Sequence, residues 1–143
     1  MKDIAVSVLI ANYNNERYLT ECIDSIKKQI YQNIEIIIHD DASSDNSVKK
    51  ISKYKNIKII RNRKRGKYGS YNQMNAYYRA FKKSKGEILF LLDSDDFFKK
   101  NKIKLITNFF KKNKQITSLF DLPIYKYKNK LKLIKNKKKT ISN

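Results

Sequence analysis

A chain of 143 residues has room for one domain with a proper core and not for two. Its hydrophobic content of 41% and aromatic content of 12% exclude a disordered chain, one cysteine excludes an internal disulfide framework or a cysteine-based zinc site, and no apolar window reaches the length of a membrane span. The formal charge of +20 is unevenly held: residues 1–48 carry a net −4 and residues 49–143 a net +24. Such a surface attracts polyanions, anionic lipid headgroups and phosphorylated substrates, although Lys is also the ordinary filler of a solvated face.

In chain order, residues 4–11 are apolar and β-rich enough for a central strand, and Asn12-Tyr13-Asn14-Asn15 behind them is loop chemistry. The run carries Ser7, follows Asp3 and ends without a cleavage-like site, so it is expected as a strand rather than a signal segment, and the chain as cytoplasmic. Asn14 or Asn15 is expected to cap a helix reaching Ile30. Leu19, Cys22, Ile23, Ile26 and Ile30 fall on one helical stripe, which makes Cys22 a small core residue. Residues 34–39 predict a second strand, residues 45–54 a short helix and residues 57–61 a third strand. Strands alternating with helices at this spacing imply parallel pairing with right-handed crossovers.

Residues 62–70 are the most cationic segment and hold two of only three glycines, Gly66 and Gly69. So few glycines suggest positions that need positive φ or a close approach. A helix from residue 70 or 71 to 85 is predicted with Met74, Tyr77, Tyr78 and Phe81 as its apolar face, and Gly86 stands where a left-handed helix end belongs. The stretch from Glu87 to Leu92 reads as a strand buried on both faces that emerges at Asp93. Residues 102–113 repeat a helical pattern through Ile103, Ile106, Phe109 and Phe110. Residues 116–127 and 131–134, around a turn at Asn129, predict a hairpin in which Pro123 favours an edge, and residues 135–143 a frayed basic tail.

Three strand ends therefore carry distinct polar groups: Asn12 and Tyr13, then Asp40 and Asp41, then Asp93, Asp95 and Asp96. In a parallel sheet all would face one crevice. Three carboxylates within four positions repel one another unless they are solvated or neutralised, and Mg²⁺ takes one or two carboxylates together with diphosphate oxygens. Taken alone, Asp93-Ser94-Asp95-Asp96 is as well explained by a solvated loop before a helix. A ring that stacks on a base, a carboxylate for base N–H or ribose hydroxyls, and an acid loop for a metal nevertheless suit one ligand together.

The segments 6–14, 35–45 and 85–96, with the helix holding Leu19, Cys22, Ile23, Ser25 and Ile26, resemble the family 2 glycosyltransferases, inverting enzymes of the GT-A fold that use nucleotide sugars. The resemblance covers roughly the first 110 residues, and the pairing of Asp-Asp-x-Ser-x-Asp with Asp-Ser-Asp-Asp is its specific part. It implies an α/β fold with a mostly parallel sheet flanked by helices, and metal-dependent transfer of a sugar from a nucleoside diphosphate sugar, with UDP expected. By resemblance, Ala11 and Tyr13 line the nucleobase, Asp40 and Asp41 meet the uracil or ribose, Asp93 and Asp95 face the ribose and diphosphate, and Asp95 or Asp96 contacts Mg²⁺ or Mn²⁺. Asn72, Gln73 and Asn75 fall near the family's sugar-nucleotide contacts. Arg63, Lys64 and Arg65 are candidates for phosphate, with a solvated loop as the plainer reading.

Residues 1–115 are expected to be the donor-binding core, residues 116–134 to begin the acceptor region and residues 135–143 to form the tail. The acceptor half with its general base is expected beyond Asn143, because Asp121 is the only acid after the metal motif. That leaves a donor-binding fragment, a truncated product or a chain completed by a partner. The acceptor is an unknown glycan or lipid-linked molecule, with contact to an anionic membrane surface through the lysines as a further expectation. The alternatives are a basic nucleic-acid-binding module, against which the helical spacing of the tyrosines counts, and a non-catalytic nucleotide-binding module. His39, the lone histidine, is read as a packed strand residue.

Overall fold

The computed structural model describes residues 3–120, 124–127 and 130–133, the last two segments as backbone only. Their elements run β1 (Val6–Asn12), α1 (Glu16–Lys27), β2 (Ile34–Asp40), α2 (Ser47–Ile51), β3 (Ile57–Arg61), α3 (Gly69–Phe81), β4 (Ile88–Asp93), α4 (Lys102–Lys112), β5 (Ile124–Tyr127) and β6 (Lys130–Leu133). The first four strands form one parallel sheet in the order β3-β2-β1-β4, and β5 and β6 pair antiparallel as a separate ribbon. The hairpin foreseen from residue 116 thus begins its first strand at Ile124, whereas Pro123, Asn129, Asp121 and the tail from 135 lie outside the described residues.

β1 and β2 are central because their β-branched residues are buried on both sides. One face of the sheet (Val6, Val8, Ile10, Ile36, Ile38, Phe90, Leu92) packs on the stripe Leu19, Cys22, Ile23 and Ile26 of α1, on Ile51 of α2 and on Ile103 of α4. Burying each large aliphatic side chain contributes roughly 1.5–3 kcal/mol. α1 stops at Lys27, so Ile30, expected on that stripe, is 45% exposed. Nor does Asn14 or Asn15 cap α1 through its side chain, because both amides are used between loops.

The opposite face is smaller: Leu9 and Ile37 meet Ala80, with Ile60 and Tyr77 at the margin. Of the expected apolar face of α3 only Tyr77 packs toward the sheet, and the helix's buried residues are instead Asn72, Ala76 and Ala80. Small side chains let the helix backbone come close to β1 and β2, which turns Met74, Tyr78 and Phe81 outward. For the same reason β4 is not buried on both faces. It is the edge of the described sheet, α3 lies over β1 and β2, and Leu89 and Leu91 remain 38% and 58% exposed.

Gly86 does not end a helix in the left-handed region, and no glycine has positive φ. It allows a close approach. A Cβ there would lie 2.4 Å from the Ser7 backbone nitrogen and 2.7 Å from the Val6 carbonyl carbon. The Gly86 N–H donates to Ser7 Oγ at 2.8 Å, Ser7 Oγ donates to Glu35 at 2.5 Å, and Glu35 also accepts from the Lys85 N–H and from Lys58 Nζ. This clamp fixes the amino ends of β1, β2 and β4.

Candidate functional site

The register levels the carboxyl ends of three strands. Asn12 pairs with Asp40, while Ala11 stands opposite His39 on one side and Asp93 on the other. Backbone bonds continue one residue past each tip, from the Asp41 N–H to the Asn12 carbonyl at 2.9 Å and from the Ser94 N–H to the Ala11 carbonyl at 3.2 Å. The loops beyond are laced together. Asn14 adopts φ 49° and accepts from the Ser44 N–H at 2.8 Å, and Asp45 accepts from the first N–H of α1, at Glu16, at 2.9 Å. A carboxylate at that helix end satisfies an orphan donor and complements the dipole.

A cleft of about 290 Å³ opens at these tips. Ala11, Tyr13, Asp41, Asp93 and Asp95 all line it, together with Asn12, Asn15, Ser94, Arg65 and, from α3, Gly69, Asn72, Gln73 and Ala76. A larger cleft of about 860 Å³ runs along the β4 edge past Leu89, Leu91, Phe110 and Phe120. It holds none of the paired acids, so chemistry rather than size singles out the smaller one.

Asp40 and Asp41 are adjacent in sequence but differently placed. Asp40 is fully buried beneath the cleft and is not among its lining residues. Its oxygens accept from Asn12 Nδ2 at 2.8 Å and the Ser43 N–H at 3.0 Å, with Arg61 at 3.7 Å. Asp41 faces the cleft, accepting from Asn62 Nδ2 at 2.7 Å and pairing with Arg65 Nε at 3.3 Å. The Arg65 guanidinium lies 3.4 Å from the centre of the Tyr13 ring, a cation–π stack. Of the three cations considered for phosphate, only Arg65 lines the cleft; Arg63 and Lys64 are exposed outside it.

In the acid loop, Asp93 accepts from Gln73 Nε2 at 2.6 Å and from the Tyr77 hydroxyl. Burial and the Asp93 carboxylate push the Tyr77 phenol up, so it stays protonated and donates. Asp95 and Asp96 are exposed, and among the described residues no side chain donates to either. Partial burial, and after it the charges of Asp95 and Asp93, push the Asp96 carboxyl up. The same acids, after burial, raise the Cys22 thiol to about 12, leaving it an inert core group whose S–H points at the Asp93 carbonyl. His39 is fully buried with neither ring nitrogen bonded, and burial followed by the charge of Arg79 lowers its pKa.

Among the described residues no three carboxylate, histidine or cysteine groups converge into a ready cage for a metal. The donor set of Asp95 with Asp96 instead fits a hard divalent ion that keeps waters and completes its shell from a diphosphate. Of Asn72, Gln73 and Asn75, all three expected near the sugar-nucleotide contacts, Asn72 and Gln73 line the cleft and Asn75 does not. Sequence reasoning missed Asn15, Ser94 and the polar role of Tyr77. Asn15 Nδ2 donates to the buried Ser94 Oγ at 2.8 Å and so ties the first loop to the acid loop. The only available signal was that Asn15 lies three residues beyond the end of β1, in the loop that carries Tyr13.

A parallel sheet between helix layers, with a polar cleft at the level tips of β1, β2 and β4, defines a protein of the GT-A class. Residues 7–140 match the profile of Glycosyl transferase family 2, and the chain belongs to that family. It is 34% identical over 116 residues to the Escherichia coli UDP-Glc:alpha-D-GlcNAc-diphosphoundecaprenol beta-1,3-glucosyltransferase WfgD, covering 79% of this chain and 44% of that one. It is 31% identical over 100 residues to the Staphylococcus aureus poly(ribitol-phosphate) beta-N-acetylglucosaminyltransferase TarS, covering 68% of this chain and 17% of that one. The structure of TarS residues 1–349 in complex with UDP-GlcNAc superposes with a TM-score of 0.68 at 29% identity, over 76% of this chain and 32% of that chain. A Pyrobaculum calidifontis mannosyltransferase, solved with GDP-Man and Mn²⁺, shares the fold at a TM-score of 0.55 and 19% identity, over 68% of this chain and 29% of that chain. The chain spans less than half the length of each of these relatives.

Proposed function

We propose that the cleft binds a nucleoside diphosphate sugar, UDP being the expected nucleotide, and that the chain is the donor-binding part of an inverting sugar transferase working on the cytoplasmic side. The observation that carries this reading is the convergence of Tyr13, Asp41, Asp93 and Asp95 on one cleft from three separate strand ends. Tyr13 offers a stacking face beside Ala11, and Asp41 an acceptor for a base N–H or ribose hydroxyls. Asp40, bonded from below, positions the loop that presents Asp41. Asp93, oriented by Gln73 and Tyr77, accepts hydroxyls of the donor. Asp95 and Asp96 would hold Mg²⁺ or Mn²⁺, which supplies charge neutralisation for a departing diphosphate. Arg65 occupies the open face of Tyr13 and the carboxylate of Asp41 together, so a base must displace it or slide beside it.

Direct attack on the anomeric carbon also needs a base for the acceptor hydroxyl. We assign that role to none of the three acids that line the cleft, Asp41, Asp93 and Asp95, and place residues 1–115 on the donor side and residues 116–134 at the start of the acceptor side. Calorimetry with UDP, with and without Mn²⁺, tests the reading. Binding should strengthen at least tenfold with the metal, and UDP-sugars should compete. No heat from UDP, or the same heat after Tyr13→Ala and Asp41→Ala, overturns it.

A further inference from the structure

The outward face of α3 is apolar where a surface helix is ordinarily polar. Tyr68 at its N-cap, then Tyr71, Met74, Tyr78 and Phe81, are 64, 65, 65, 56 and 51% exposed. At 100° per residue these five fall within an arc of about 140°, opposite the inward-facing Asn72, Ala76 and Ala80. Cations are interleaved with the rings: Lys67 Nζ lies 5.6 Å from the Tyr68 ring centre, and Lys82 Nζ 4.6 Å from that of Tyr78. The charge around the stripe is of one sign, since residues 46–86 contain 14 Lys and Arg and no Asp or Glu.

Three kinds of surface could cover such a stripe, and its chemistry separates them. Protein interfaces are depleted of Lys at their centres, which argues against a second copy or a protein partner. Single-stranded nucleic acid is tracked by a groove with stacking rings, whereas this face is the convex side of a helix and includes Met74, which has no ring to stack. Rings with polar tips, aliphatic carbon and lysines whose stems lie along apolar surface are the mixture that suits the headgroup zone of an anionic bilayer. We propose that α3 is a membrane-docking face, lying along an anionic lipid surface with Tyr71, Met74 and Tyr78 at the acyl boundary and the flanking lysines at the headgroups. This does not rest on nucleotide binding.

The chain has no tryptophan, so Tyr71→Trp supplies a single fluorescent reporter on this face. With vesicles of phosphatidylcholine containing about one third phosphatidylglycerol, its emission should shift to the blue; with pure phosphatidylcholine the shift should be small. In co-sedimentation, Tyr71→Ser combined with Tyr78→Ser should weaken binding to the anionic vesicles about tenfold, while the thermal melt matches the parent because both side chains are solvent-exposed. Undiminished binding of the double variant would mean that charge alone acts, and overturns the proposal. So does a blue shift that grows with protein concentration in the absence of lipid, which would reveal self-association. Binding of a random oligonucleotide that the double variant loses, with vesicles ignored, overturns it as well.

Discussion

The two acidic loops of the cleft are alike in composition and opposite in physics. In the first, every carboxylate is spoken for from within the protein: Asp40 by Asn12, Ser43 and Arg61, and Asp41 by Asn62 and Arg65. In the second, only Asp93 has donors, and Asp95 and Asp96 face solvent with each other's charge for company. A self-neutralised loop is a rigid template, whereas an unneutralised one has kept its attraction for an outside cation. The difference arises from neighbours, since 14 cations separate the first acid loop from the second along the chain and, of these, Arg61 and Arg65 pair with the first.

Breaking the first loop should cost the most stability. Asp40→Ala removes a buried acceptor from Asn12 and the Ser43 N–H, so unfolding in urea should show a loss of about 2–3 kcal/mol. In the second loop, Asp95→Asn should leave the urea midpoint within about 0.5 kcal/mol of the parent. It should nonetheless abolish the Mn²⁺-dependent gain in UDP affinity, a loss of about tenfold or more measured by calorimetry. A variant that unfolded as easily as Asp40→Ala would erase the contrast between the loops.

Removing the internal cation sharpens the comparison further. Arg65→Ala frees the Tyr13 face and should raise affinity for uridine, which carries no phosphate, about threefold, in line with a cation–π contact of roughly 0.5–1 kcal/mol. UDP should gain less, because its diphosphate loses a nearby positive charge. The smallest effect belongs to His39, behind the first loop. Its pKa is lowered in the folded protein from 6.5, so its contribution to stability is complete above about pH 6.5 and is lost as pH falls through the lowered value. The melting temperature should decline from pH 7 to pH 5, and His39→Gln should make that decline shallower.

Much of the frame was legible in the letters because strands announce themselves through β-branched residues: residues 57–61 coincide with β3, and the first strand, expected over residues 4–11, runs Val6–Asn12. The cleft was legible for a related reason, since parallel order puts every strand tip on one edge. What was hidden depended on partners distant in sequence. Asp40 and Asp41 look interchangeable, yet successive residues of an extended chain point to opposite sides, and one lies under the floor while the other faces the cleft. α3 misled because apolar was equated with inward, and the need for a small residue such as Ala80 against Leu9 and Ile37 comes from the narrow space above β1 and β2. Arg65 sits in a stretch whose composition resembles ordinary solvated lysine, and only the fold carries it to Tyr13.

The Gly86 clamp lies at the amino edge of the sheet, the full length of a strand away from the cleft. A strand advances about 3.3 Å per residue and changes face with each step. A slip of one position at Gly86 would therefore carry Asp93 out of reach of Gln73 and turn it through the sheet. The fine alignment of the acid tip is set by a remote hinge pin, and damage there would imitate a lesion in the pocket itself.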